Sequence, residues 1–290
     1  MLKKCTIRPI ILLFAFLINL TLFAQEKNQT QQIKIDSLKN VLHKQSFSDT
    51  LTVNRMNELA HLLIREGQFD LATEYALKAK KLSEKLHFKR GEANTCTITG
   101  LIYAYQYNLP EALKKFSEAL KKWKEIGDKQ KMALSYNHIA GAYNQQGNLS
   151  EALENHFTAL KIREEIGDKE GIGRSYHGIG MVYRMQGKYP EALKNLTTAL
   201  KIRKEIGNKH EISESYNNIG IVYEIQGKFS QALENHFASM KIKEELGNKR
   251  GVAASYQNIA VVYQQQDKYL EALENYFAAL EIFEEIGEKS

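Results

Sequence analysis

The sequence is poor in the residues that staple or break a chain. Its 290 residues hold two cysteines, Cys5 and Cys96, and three prolines, Pro9, Pro110 and Pro190. So few cysteines exclude a disulfide scaffold and a cysteine-rich zinc module. So few prolines leave long helices permitted almost everywhere, because a fixed φ and a missing N–H are what usually stop them. The sequence also lacks a phosphate loop, a nucleophile elbow, an HExxH pair and any paired-carboxylate motif, so it is not expected to be an enzyme or to carry a cofactor. Charge of one sign is missing too: 40 Lys and Arg are interspersed with 34 Asp and Glu, for a formal net charge of +6. A nucleic-acid binder gathers its cations on one face, so no nucleic-acid partner is expected.

Long apolar runs are equally scarce. One occurs, "IILLFAFLINLTLFAQ", starting at Ile10 after Lys3, Lys4 and Arg8. It is short for a span of about 20 residues and is interrupted by Asn19 and Thr21. A basic start, a short apolar stretch and a small residue are the pattern of a secretory signal peptide, here over 1–24 with cleavage after Ala24. Removal of Lys3, Lys4 and Arg8 would lower the formal charge from +6 to +3 and leave Cys96 alone, with no internal disulfide available. The expectation is an exported protein, periplasmic or extracellular. Membrane contact is expected only if the segment stays on as an anchor or a span follows the sequence given.

What the chain has in abundance is repetition. Gly127, Gly167, Gly207, Gly247 and Gly287 recur at steps of 40, as do Tyr103, Tyr143, Tyr183, Tyr223 and Tyr263, and the alanines from Ala72 to Ala272. After a lead-in helix over 25–52, six units follow within 53–290, with cores 53–86, 93–126, 133–166, 173–206, 213–246 and 253–286. Each reads as two helices. In the third, Tyr136, Ile139, Ala140 and Tyr143 form one helical stripe, and Gly147 supplies a left-handed end. Ala152, Leu153, His156, Phe157, Ala159 and Leu160 form a second stripe, ending at Ile166 and Gly167. Asp128, Asp168, Asn208 and Asn248 stand where they can cap the next unit's first helix. Ala140, Gly180, Gly220 and Ala260 are small where paired helices must approach. Tyr136, Tyr176, Tyr216 and Tyr256 are large enough to wedge between neighbours. A single pair buries too little to stand alone, so stability is expected from stacking. The charged ends "KIREEIG" and "KIRKEIG" read as solvated outer faces.

Tyr176, Ile179, Gly180, Tyr183, Gly187, Tyr189, Ala192, Leu196 and Ala199 resemble the residue pattern of the tetratricopeptide repeat family. The resemblance runs over about 53–286 and implies an all-α, right-handed superhelix (an α-solenoid). The closing proline of the family pattern is absent, and the 40-residue period resembles the longer repeats of Pins-type scaffolds, of kinesin light chains and of exported arrays that precede bacterial kinases, cyclases and regulators.

The resemblance also implies a protein or peptide partner in a concave groove lined by first helices. The residues it places there are Asn137, Asn144, Arg174, His177, Arg184, Asn217, Asn218, Glu224, Asn258 and Gln264. Asn amides both donate and accept, which suits an extended backbone, and Arg174 and Arg184 suit a carboxylate. Earlier first helices carry Thr97, Ile98, Leu101 and Tyr105, so the N-terminal half is expected to hold a ligand's apolar anchor. His138 and His177 lack the further ligands of a metal site. His156 and His236 hold the position of Phe116 and Tyr276, and Cys96 a packing position, so all three read as core. An alternative is the sensory region of a longer signalling protein. Self-association through the last repeat, which has no polar capping helix, is a further expectation.

Overall fold

The computed structural model describes residues 32–42 and 49–287; the proposed signal peptide and the last residues lie outside them. Among the described residues there are thirteen helices and no strand. After α1 (32–42) come α2 (Thr50–Arg65), α3 (Phe69–Lys85), α4 (Lys89–Tyr105), α5 (Leu109–Ile126), α6 (Lys129–Gln145), α7 (Leu149–Ile166) and α8 (Lys169–Met185). Then follow α9 (Tyr189–Ile206), α10 (Lys209–Ile225), α11 (Phe229–Glu245), α12 (Lys249–Gln265) and α13 (Tyr269–Glu285). They fall into two compact units, one within 31–202 and one from Arg203 onward.

Each unit is a stack of helix hairpins. In the first, α2 packs on α3, α4 on α5 and α6 on α7, while α4 and α6 also meet the hairpin before them. In the second, α10 pairs with α11 and α12 with α13. Ile35 of α1 is fully buried against the first hairpin, with Leu38 and Leu42 beside it.

The local chemistry sets the element ends. Asp128, Asp168, Asn208 and Asn248 each accept an N–H from three residues on, at 2.9–3.2 Å, which satisfies one donor that the first helical turn leaves free. At the inner turn of the third repeat Gly147 takes φ +80°, and the Asn148 N–H closes on the Tyr143 carbonyl at 2.9 Å. The small residues hold the hairpins close. A Cβ added to Gly180 would stand 2.8 Å from Leu196 Cγ and 3.2 Å from the Ala192 carbonyl oxygen. Gly100 lies against Phe116 and Gly220 against His236 in the same way. Where Ala140 fills this position, the ring of His156 lies against Gly178 instead.

Three sequence expectations need correction. Phe157 and Ile166 are 45% and 38% exposed: they lie past the edge of the α7 stripe, whose inner positions are taken by Ala152, His156, Ala159 and Leu160. Cys96 is only half-buried; its thiol lies 3.9 Å from a Glu118 carboxylate oxygen, and burial together with that charge pushes the thiol's pKa up. The charged helix ends are not all solvated. Arg163 is 2% exposed, Arg203 5% and Lys243 5%. Each reaches a serine on the following helix: Arg163 to Ser175 Oγ at 2.7 Å, Arg203 to Ser215 at 2.6 Å and Lys243 to Ser255 at 3.1 Å. The KIR and KIK ends therefore supply the bolt between consecutive repeats, a position that Trp123 fills in the second repeat.

Candidate ligand-binding cleft

A cleft of about 310 Å³ opens between α4 and α6. Leu101, Ala104 and Tyr105 of α4 and Phe116 of α5 give one wall; Asn137, His138, Gly141, Ala142 and Gln145 of α6 give the other. Its cause is visible in one column of the repeat. Position 141 is His61, Leu101, Met181, Ile221 or Val261 in the other units, but glycine here. A Cβ built on Gly141 would have nothing within 4 Å, so a missing side chain leaves the space.

The mouth carries Tyr107, which is 82% exposed and sits at φ +58°. Equivalent turns place Gly67, Gly147, Gly187 and Gly227 in this left-handed region at no steric cost, and Asp267, a short polar residue that tolerates it, at φ +58°. A bulky aromatic there is strained, and such strain is concentrated where binding surfaces need a group held in place. Tyr105, 57% exposed, adds a second aromatic edge.

The floor is electrically neutral despite its polar residues. His138 stacks on Phe116, with ring centroids 5.1 Å apart. Burial, reinforced by His61, Arg163 and Lys131, lowers its pKa to about 4, so it is an uncharged imidazole at neutral pH. His156 beneath is likewise held at about 4, by burial and then by Arg163. Its Nδ1 lies 3.2 Å from the Asn137 amide, whose other end lies 2.9 Å from Arg163 Nη1. Both contacts are satisfied with the Asn137 NH2 donating to His156 and its oxygen accepting from Arg163. Asn137 is thus tied into the joint below the cleft.

The other expected groove residues divide between the units. On α6, Asn144 is half-buried and its Oδ1 has no partner. On α8, Arg174 pairs with Glu170, His177 is half-buried, and Arg184 is half-buried with an unpartnered Nε. In the second unit Asn217 accepts from Asn258 at 2.8 Å, and Glu224 accepts from Gln265 at 2.8 Å. Asn218 is buried and donates to the Glu214 carbonyl, while Gln264 accepts from the Tyr276 hydroxyl at 3.0 Å. Sequence reasoning missed Gly141 and Tyr107. The signal was present in both cases as a departure from the repeat column, a glycine among bulky residues and a tyrosine in a column of four glycines and Asp267. Among the described residues no three His, Cys, Asp or Glu are grouped to hold a metal ion, and no helix is long and apolar enough to cross a membrane.

Models of the tetratricopeptide repeat match residues 54–86, 96–165, 131–205 and 211–285, and the chain belongs to that family. Its fold is the all-α repeat solenoid. The apo form of RapI is similar over 94% of this chain and 98% of its own, with a TM-score of 0.69 and 14% identity. NprR, solved in complex with its cognate peptide NprX, is similar over 94% of this chain and 78% of its own (TM-score 0.63, 19% identity). A signal-transduction ATPase with a tetratricopeptide repeat sensor, from Pyrococcus horikoshii, is similar over 81% of this chain (TM-score 0.65, 18% identity), which spans 37% of that protein. A search of curated proteins finds no match.

Proposed function

We propose that this chain is a non-catalytic peptide-binding scaffold, exported from the cytoplasm, whose α4–α6 cleft receives a bulky uncharged side chain of its ligand. The observation that carries this reading is the combination of the Gly141 void with aromatic residues at its mouth. A cleft of about 310 Å³ lies at the small end of ligand pockets and suits a single large side chain. The neutral His138 on Phe116 offers a flat stacking surface plus one hydrogen bond, which favours an aromatic ring over an aliphatic or cationic group. The peptide held by NprR is consistent with the same use of the fold.

Gly141→Met restores the residue type of the next repeat's column, at a position where an added Cβ meets nothing within 4 Å. It is expected to stabilise α6 by about 0.5–1 kcal/mol, because glycine is a poor helix former. The same change is expected to weaken peptide binding at least tenfold, on the order of burying one aromatic side chain. Peptides selected from a display library on the full chain, then titrated by calorimetry, provide the measurement. Equal affinity for the two proteins would remove the cleft from the binding surface.

Export rests on the basic, apolar and small-residue pattern of 1–24. Fractionation should recover a chain shortened at its N-terminus outside the cytoplasm; a full-length cytoplasmic chain would contradict it. A second reading, a sensory module of a longer signalling protein, is favoured by the likeness to the repeat sensor of the Pyrococcus ATPase. The same cleft would then be the sensing element.

A further inference from the structure

α13 departs from the second helices before it in three columns of the repeat. Position 270 is Pro110, Ser150, Pro190 or Ser230 in the four preceding units, but leucine here. Position 281 is lysine in all five earlier units, from Lys81 to Lys241, but glutamate here. Position 283, the bolt that Arg163, Arg203 and Lys243 supply, is Phe283. Among the described residues α13 is also the one helix without a Lys or Arg; five glutamates and no cation give it a formal charge of −5. Its last turn carries no cation, where α3, α5, α7, α9 and α11 have Lys85, Lys124, Arg163, Arg203 and Lys243. Acids at that end oppose the helix dipole, and Glu281 repels Glu284 and Glu285 at i+3 and i+4. Of the five glutamates only Glu285 makes an ion pair among the described residues, with Lys249. On the same helix Leu270, Leu273 and Phe277, at i, i+3 and i+7, form an apolar stripe that is 76%, 51% and 64% exposed. Leu280 and Phe283 continue it half-buried, and at 100° per residue Glu274 and Glu281 line one edge. An exposed apolar strip rimmed by charge marks an interaction surface, and local rules are broken where a sequence serves function.

We propose that this face of α13 docks a basic amphipathic helix of a partner protein. The partner's apolar stripe lies on Leu270, Leu273 and Phe277, and its Lys or Arg side chains meet Glu274, Glu281 and Glu284. A helix is what this side of a second helix accepts. On α11, Leu233 shares the column of Leu273 and is half-buried, and Lys243, in the column of Phe283, reaches Ser255 of α12. Charge selects the partner. Two copies meeting through α13 would set −5 against −5, and an anionic lipid surface would be repelled in the same way. A cationic helix instead relieves the repulsion within α13 and supplies the positive charge that its last turn lacks. The surface lies on second-helix residues of the second unit and does not depend on the α4–α6 cleft.

A fluorescein-labelled peptide of about 18 residues, with Leu at helical spacing and Lys between, tests this on the full chain by fluorescence anisotropy. One twin carries Glu for every Lys; a second has the same composition in an order without a stripe. The striped basic peptide is expected to bind roughly tenfold or more tighter than either twin. Leu270→Ser with Phe277→Ser, the residue types of Ser150 and Ser117 in these columns, is expected to remove that advantage. Glu274→Lys with Glu281→Lys, the types of Lys194 and Lys241, is expected to pass the preference to the acidic twin. The exposure of all four side chains lets both variants keep the helical circular dichroism of the parent. Equal binding of the unstriped twin, or binding unchanged in both double variants, would overturn the docking surface. Binding that is lost in Gly141→Met and kept in the serine variant would move the helix to the cleft and overturn it too. So would a concentration-dependent mass in light scattering that the serine variant abolishes, which would assign the face to a second copy. Adsorption to phosphatidylglycerol vesicles that the serine variant abolishes would assign it to lipid, with the same consequence.

Discussion

Arg163→Ala is expected to cost about 3 kcal/mol of stability, whereas Arg163→Met costs about 1 kcal/mol or less. The alanine leaves a hole in a joint where the guanidinium is 2% exposed, and it strips partners from Ser175, the Gly171 carbonyl and the Asn137 amide. Methionine keeps most of the volume and removes a buried charge whose desolvation offsets much of its hydrogen bonding. The chain supplies its own precedent. Trp123 occupies the equivalent place in the second repeat, 2% exposed, and there Ser135 turns to the Lys131 carbonyl at 2.9 Å. Urea unfolding followed by circular dichroism measures both variants. A methionine variant as unstable as the alanine one would mean that the charge, rather than the filled joint, couples the third and fourth repeats.

The second large effect is acid lability centred on His156. Its pKa is near 4 in the folded chain against 6.5 unperturbed. A proton therefore binds the unfolded chain more tightly, and falling pH pulls the equilibrium toward unfolding. The stabilisation of the neutral ring is complete above about pH 6.5 and is lost progressively down to about pH 4, where the loss approaches 3 kcal/mol. The site is 7% exposed, so solvent does little to relieve the charge. His156→Leu, the residue that Leu196 places at this position and buries completely, removes the titrating group. Its melting temperature should fall much less between pH 7 and pH 4.5 than that of the parent. Parallel declines in the two proteins would show that other groups, such as His138, govern acid unfolding.

Both expectations rest on features that differed in how readily they could be seen in the sequence. The hairpins were legible because one stripe period, one glycine and one cap residue recur every 40 residues, and local chemistry of that kind does not depend on distant contacts. His156 and His236 as core residues were legible through the repeat column, since Phe116 and Tyr276 share it. Arg163, Arg203 and Lys243 were not. A cation in a charged run has the composition of a solvated face, and only the approach of the next helix, with its serine, reveals the buried partner. Phe157 failed in the opposite direction: helical spacing alone could not tell a wide stripe from the narrow one that alanines require. The cleft was half legible. Leu101 and Tyr105 marked the apolar half of the surface, yet the void itself comes from the side chain that Gly141 lacks.

The most direct test of the account is to map a bound peptide onto the full chain by amide chemical-shift perturbation. The largest changes are expected on Leu101–Tyr107 of α4 and its turn and on Asn137–Gln145 of α6, which line the cleft. Perturbations confined to second helices, around the exposed Phe157 of α7 and Phe237 of α11, would contradict the binding role of the cleft.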